Sequence, residues 1–243
     1  MTPIRIIKPA GAVAAMALLG LAGMSLTSPR VHADSPQSDS RVQIGFNIAP
    51  VKLNMKGRNH DLVGVGSYIV NAQADCNGCH TSPDLGNEYV TGSDPFFSQH
   101  PPLVNRAAYL GGGTTFAVIP NGTATPAVLQ TRNLTPDKTG LPEGGHTLAE
   151  FITIMRTGKD FDHIHPTCPA VPPAGSGSGC LPGFVGDGDL LQIMPWPTFG
   201  NMSDNDLEAI YEYLSAIPCI AHSVGAQSAP GVPILPNVFN TCK

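Results

Sequence analysis

The chain has 243 residues, 13 of them basic and 18 acidic, for a formal net charge of −5. That balance argues against nucleic acid as a partner. Glycine (27) and proline (24) are abundant and aromatic residues reach only 6%, so a core of ordinary side chains would be thin for a domain of this length.

The first 33 residues read as a secretory signal peptide. Arg5 and Lys8 form a positive start, Ala10 to Met24 is apolar and uncharged, and Val31-His32-Ala33 is a small-residue cleavage site before Asp34. The apolar run is shorter than the roughly 20 residues needed to span a bilayer. No other stretch is long and apolar enough to span, so no membrane span is expected after cleavage. Removing Arg5, Lys8 and Arg30 takes the net charge from −5 to −8.

Residues 34–58 are expected to form an extended N-terminal arm. Val42, Ile44, Phe46 and Ile48 alternate with Gln43, Gly45, Asn47 and Ala49, which is a strand period. After Pro50 the alternation resumes at Val51, Leu53 and Met55. A helix is predicted from His60 to Ala74, with Leu62, Val63, Gly66, Ile69 and Val70 on one side. Gly66 within it costs about 1 kcal/mol relative to alanine. That cost makes sense where another helix crosses at close range.

The next five residues, Cys76-Asn77-Gly78-Cys79-His80, read C-x-x-C-H, the attachment signature of a c-type haem. Two thiols three residues apart share one helical face and can form thioethers to two vinyl groups on one porphyrin edge. The following histidine then presents a nitrogen to iron. Asn77 and Gly78 need only be small and tolerant of a tight turn. A zinc site would need a second matching pair, and C-x-x-C does not recur. One covalent haem c is therefore expected, and with the signal peptide it implies periplasmic export.

Residues 81–145 are rich in Gly, Pro and Asn and show no helical period. Gly111-Gly112-Gly113 is not a phosphate loop, because no G-K-[ST] follows. Thr114 to Ile119 and Ala127 to Thr131, around Pro120-Asn121-Gly122, read as a small β-hairpin. Thr147-Leu148-Ala149-Glu150 is a capping box, opening a helix to Thr157 that Gly158 stops. Leu148, Phe151, Ile152 and Met155 are expected to face inward. Residues 160–190 form a second insertion. The last helix opens at Ser203-x-x-Asp206, with Leu207, Ile210, Tyr211, Leu214 and Ile217 as its apolar stripe, and Pro218 ends it. Its Tyr211 and Leu214 face is the expected partner of Gly66. Residues 219–243 form an irregular tail. Cys168, Cys180, Cys219 and Cys242 make an even set for an oxidising compartment. Of three pairings, Cys168–Cys180 and Cys219–Cys242 are favoured, because each closes a short segment.

Iron held by His80 has a second axial position. Met194 is the first candidate: it precedes Pro195-Trp196-Pro197, whose prolines restrict the backbone. Met202 is the rival, Met155 sits on an apolar stripe, and a histidine or an open site are the other outcomes. His163 and His165 read as loop histidines in preference to a metal site, for want of a third ligand. His60, His100, His146 and His222 are isolated. Arg132 and Arg156 are candidates either for haem propionates or for surface salt bridges.

A helix into C-x-x-C-H, then Met-Pro, then an acidic-capped final helix resembles the class I c-type cytochromes. The closer resemblance is to haem domains in cytochrome c subunits of periplasmic alcohol and sugar-acid dehydrogenases. Gly66-Ser67-Tyr68, Asn133 to Asp137 with Thr139-Gly140, Arg156-Thr157-Gly158, Met194-Pro195-Trp196 and Met202 to Asp206 match that family's motifs. The resemblance covers about Asp61 to Pro218. It implies a mainly α, cytochrome c-like domain over residues 59–218, wrapped around one haem, with the two Gly/Pro-rich insertions. It implies that Cys76 and Cys79 attach the haem, His80 is the proximal ligand and Met194 the distal one. It further implies a non-enzymatic electron carrier whose partners are redox proteins: a dehydrogenase, other cytochromes or a terminal oxidase. The alternatives are a haem enzyme or gas sensor with a displaceable distal ligand, and a fixed subunit of a larger dehydrogenase. Those subunits carry three haem motifs and this chain has one. The Cys168 to Cys180 insertion and the cysteine-bearing tail are additional to the family pattern.

Overall fold

The computed structural model describes residues 39–99, 101–118, 127–162, 190–191, 193–221 and 242. The segment read as a signal peptide, His100, His163, His165, the expected Cys168–Cys180 pairing, His222 and most of the tail lie outside the described residues. Among the described residues the protein is mainly α. In chain order the elements are α1 (Ser40–Ile48), α2 (His60–Tyr68), α3 (Cys76–His80), β1 (Thr115–Val118), β2 (Ala127–Gln130), α4 (Leu148–Thr157), α5 (Trp196–Phe199) and α6 (Asp204–Ala216). No helix among them is long and apolar enough to cross a membrane.

The segment expected as an extended arm begins instead as helix α1. Asp39 caps it, accepting from the Arg41 N–H at 2.9 Å. The two-residue alternation misleads here because only Val42 and Gly45 are buried, one helical turn apart, while Ile44 and Ile48 remain exposed. Gly45 and Gly64 bring the backbones of α1 and α2 together: a Cβ at Gly45 would lie 1.8 Å from the Gly64 carbonyl oxygen. Residues after Pro50 do run as a loop, with Val51, Leu53 and Met55 packed on the core. The Asn54 N–H fixes that loop to the carbonyl of Ala216 at 2.7 Å.

Helix α2 starts at the Asn59 cap, whose side chain accepts from the N–H groups of Asp61 and Leu62. It continues as a π-turn over Ile69–Gln73, ending next to the cysteine motif. Its main partner is α6. The crossing is at Gly66, as its cost suggested, but the partner face is Ala209 and Tyr213 rather than Tyr211 and Leu214. A Cβ at Gly66 would sit 1.9 Å from the Ala209 carbonyl oxygen and 2.8 Å from the Tyr213 Cβ. A glycine facing an alanine gives the closest helix approach, so the smaller pair takes the crossing. Tyr211 turns the other way, donating to the carbonyl of His146 at 3.1 Å.

The predicted caps are present. Thr147 and Glu150 form the capping box of α4, and Gly158 closes that helix in the left-handed conformation. Ser203 caps α6, accepting from the Asp206 N–H at 3.1 Å. In α4 the buried residues are Phe151, Ile154 and Met155, with Leu148 and Ile152 packed at the margin. β1 and β2 pair antiparallel as a two-stranded hairpin. Cys219 and Cys242 are joined by a disulfide, which ties the end of the chain to the segment after α6.

Gly66→Ala is expected to destabilise the protein by about 3 kcal/mol, since its methyl collides with backbone. Gly140→Ala, at φ +85° in open space, should cost only about 1 kcal/mol for its left-handed backbone. Urea denaturation of both variants checks the difference.

Candidate functional site

Cys76, Cys79 and His80 lie together on α3, a helix of five residues. Asp75, just before it, has a left-handed backbone (φ 47°) that turns the chain out of the π-turn. A Cβ at Gly78 would meet the Asp75 carboxylate at 2.7 Å, so any side chain here would displace that carboxylate. Both thiols are free; Cys76 is partly buried against the core and Cys79 is exposed. Burial, reinforced by Asp75 and Cys79, pushes the Cys76 thiol up to about 12. Among the described residues no three His, Cys, Asp or Glu side chains gather as a metal-ion cluster.

His80 is partly buried, and its Nδ1 lies 2.8 Å from the carbonyl oxygen of Arg132. A carbonyl only accepts, so Nδ1 carries the proton and Nε2 keeps its lone pair. Burial, helped by the positive Arg132, lowers the imidazole's proton affinity, although the carbonyl bond works against this. The ring is therefore a neutral nitrogen donor with a fixed orientation, as metal-ligating histidines require.

The residues that hold that carbonyl were not visible as a site in the sequence. Gly111-Gly112-Gly113 is the first. The Gly112 N–H donates to the His80 carbonyl at 2.7 Å, and a Cβ on Gly112 would lie 2.4 Å from the Arg132 carbonyl carbon. The glycines let two strands of backbone touch beside His80. The Asn133-Leu134-Thr135 turn is the second. Asn133 Oδ1 accepts from the Thr135 N–H (2.9 Å) and hydroxyl (2.7 Å), and its Nδ2 donates to the Ile220 carbonyl at 3.0 Å. Asn77, expected only to be small, is buried and accepts from the Leu110 N–H at 2.9 Å.

Arg132 itself is buried. Its guanidinium is taken by Asp160 and Asp162, and His146 Nε2 lies 3.4 Å from Asp162. Glu143 is also buried, and burial raises its pKa. Of the two roles open to Arg132, the structure shows the ion-paired one, but buried and not at the surface as expected. Arg156 likewise pairs with Asp204 at 2.6 Å and donates to the Gly200 carbonyl.

Met194 is partly buried and packs against the core, as Met202 does, while Met155 is buried within it. The loop carrying Met194 is fastened to the end of α4. Trp196 Nε1 donates to the Leu191 carbonyl at 3.2 Å, and the Leu191 N–H donates to the Gly158 carbonyl at 2.8 Å. A Cβ at Gly158 would stand 2.4 Å from the indole, so the glycine makes room for the ring. Arg156, through Gly200, holds the far side of the same loop.

Behind the cysteine motif lies a buried polar chain. Ser67 donates to the Gly45 carbonyl (2.7 Å), and Asn71 Nδ2 donates to Ser67 (3.2 Å) and to the Tyr213 hydroxyl (3.2 Å). Tyr109 donates to Asn71 Oδ1 at 2.5 Å, with its oxygen 2.8 Å from that of Tyr213. It joins α1, α2, α6 and the loop after α3, and every member is satisfied from within the protein.

Asp162 titrates with the Arg132 cluster. Burial would raise it, but His146 and Arg132 outweigh that and hold it at about 2. Its stabilising contribution is therefore present above pH ~4 and lost as pH falls through about 2. His146 is raised, chiefly by the Asp162 carboxylate beside it. That contribution is full below pH ~6.5 and is lost as pH rises through the raised value. Asp162→Asn should flatten both limbs of a plot of melting temperature against pH.

In comparison with known proteins, no family model, no characterised sequence and no solved structure matches this chain.

Proposed function

We propose that the protein is a periplasmic, single-haem c-type cytochrome that passes single electrons between redox proteins. The observation that carries this reading is the His80 imidazole, neutral and oriented by the Arg132 carbonyl at 2.8 Å. It stands on the same helical turn as two free thiols. That donor set fits a haem c. Cys76 and Cys79 would form the two thioethers, His80 Nε2 would be the proximal ligand and Met194 the distal one. A haem held in this way supplies a one-electron ferric/ferrous couple, which thioether ligation sets above that of a bis-histidine site.

The chain's own residues do the rest. Arg132 orients the proximal imidazole through its carbonyl, and its buried ion pairs hold that carbonyl still. Trp196, Gly158 and Arg156 fix the loop that carries Met194, as low reorganisation on electron transfer requires. The helical core excludes water from the side of Cys76, while the exposed Cys79 marks the side open to partners. The domain is then cytochrome c-like, with residues 81–145 and 160–190 as insertions. No group in it is assigned to substrate chemistry.

Mass spectrometry of exported protein tests attachment: one haem is expected on the intact chain and none on Cys76→Ser/Cys79→Ser. Colourless protein with unmodified thiols would end the proposal. The ferric visible spectrum tests the distal ligand. The weak thioether-to-iron band should be present and lost in Met194→Ala, with a lower potential in that variant. Absence of the band in the intact protein, with fast carbon monoxide or cyanide binding, would point to an enzyme or sensor.

A further inference from the structure

The segment after the cysteine motif departs from the rest of the described surface. Leu85, Val90, Phe96, Phe97 and Leu103 are all exposed there, Phe96 at 79% and Phe97 at 77%. Isolated exposed apolar residues need no explanation, but five fall within nineteen positions of one segment, and the Val90 N–H donates to the Leu103 carbonyl at 2.9 Å, which sets two of them side by side. They stand on a constructed lobe. Tyr89 and Val104 form an antiparallel bridge, the Asn105 N–H donates to the Glu88 carbonyl at 2.8 Å, and Asn105 Nδ2 donates to the Leu85 and Asn87 carbonyls. Asp94 caps the turn that presents the two phenylalanines, and Phe96 packs edge-on to Tyr89 with ring centres 6.2 Å apart.

Acidic side chains accompany these apolar ones. Glu88 and Asp94 are in the lobe itself, and Asp75 stands at the start of α3. The three are close enough that their charges act on one another and on Tyr89, and Asp75 and Glu88 act on the exposed Cys79. The lobe therefore adjoins the open side of the cysteine motif.

We infer that this lobe is a docking surface for a basic redox protein, one with lysine or arginine side chains around an exposed apolar centre. Charge selects that occupant. An anionic lipid surface would be repelled by these carboxylates, and so would a second copy of this chain, whose net charge is −5. The phenylalanines supply apolar anchors and the carboxylates supply steering and orientation. The inference rests on the electron-carrier reading for the nature of the partner.

The test uses the intact exported protein and, as probe, a soluble lysine-rich cytochrome c in its ferric form. Binding is followed by titration calorimetry at several salt concentrations, and haem content is recorded separately from the visible spectrum. The intact protein should bind the probe, and more weakly as salt rises. Phe96→Ser/Phe97→Ser should weaken binding about tenfold at fixed salt. Glu88→Gln/Asp94→Asn, which keeps a capping side chain at position 94, should flatten the salt dependence. Haem-loaded protein whose binding is unmoved by either pair overturns the docking surface. Binding to phosphatidylglycerol vesicles, or self-association in sedimentation, that the phenylalanine pair abolishes also overturns it. Colourless protein that still binds the probe through Phe96 and Phe97 overturns the electron-carrier reading and leaves the surface standing.

Discussion

The hydrogen bond from His80 to the Arg132 carbonyl is the constraint that the rest of the arrangement serves. A backbone carbonyl can be held still only if the chain on both sides of it is held, and here three devices do so. Gly112 presses its backbone against Arg132 and bonds the His80 carbonyl. Asn133 and Thr135 fold the following residues into a turn locked to Ile220. The Arg132 side chain disappears into paired carboxylates. A buried guanidinium is costly unless fully paired, and removing one partner would leave a charge stranded. The ion pair thus works as a positional device more than as a source of net stability.

The second constraint is close backbone approach. Gly45, Gly64 and Gly66 remove side chains where α1, α2 and α6 meet, and what separates these helices is mostly backbone. With so few aromatic residues, the protein gains its packing by proximity and not by bulk. The three helices then share one buried hydrogen-bonded chain through Ser67, Asn71 and Tyr213. That chain gives the crossing a unique register, because a shift would leave several buried polar groups without partners.

Local features were legible in the sequence, as were the α2–α6 crossing and the Cys219–Cys242 pairing, but the detailed contacts between distant segments were not. Caps at Thr147 and Ser203 and the stop at Gly158 rest on neighbouring residues, and they stand where their side-chain chemistry puts them. The strong cost of Gly66 pointed to a crossing, yet nothing local says which face of α6 arrives there. The alternation from Val42 to Ile48 fits a strand, and the contact that turns Gly45 of the helix inward, against Gly64 of α2, is not visible in that local pattern. Cys76, Cys79 and His80 stood out as candidates because their spacing is what haem attachment would need, and the Arg132 side chain stood out for its charge. The Arg132 carbonyl did not, because a main-chain oxygen is something every residue possesses.

The α2–α6 crossing has a consequence for the order of events during synthesis. Asn71 and Tyr213, bonded to each other in the finished core, are 142 positions apart. A chain that emerges N-terminus first has completed α2 and the cysteine pair long before Ala209 exists to cover Gly66. Contacts between such remote segments form late and slowly. Throughout that interval Cys76 lacks the cover that the finished core gives it, whereas Cys79 is exposed even after the last helix docks.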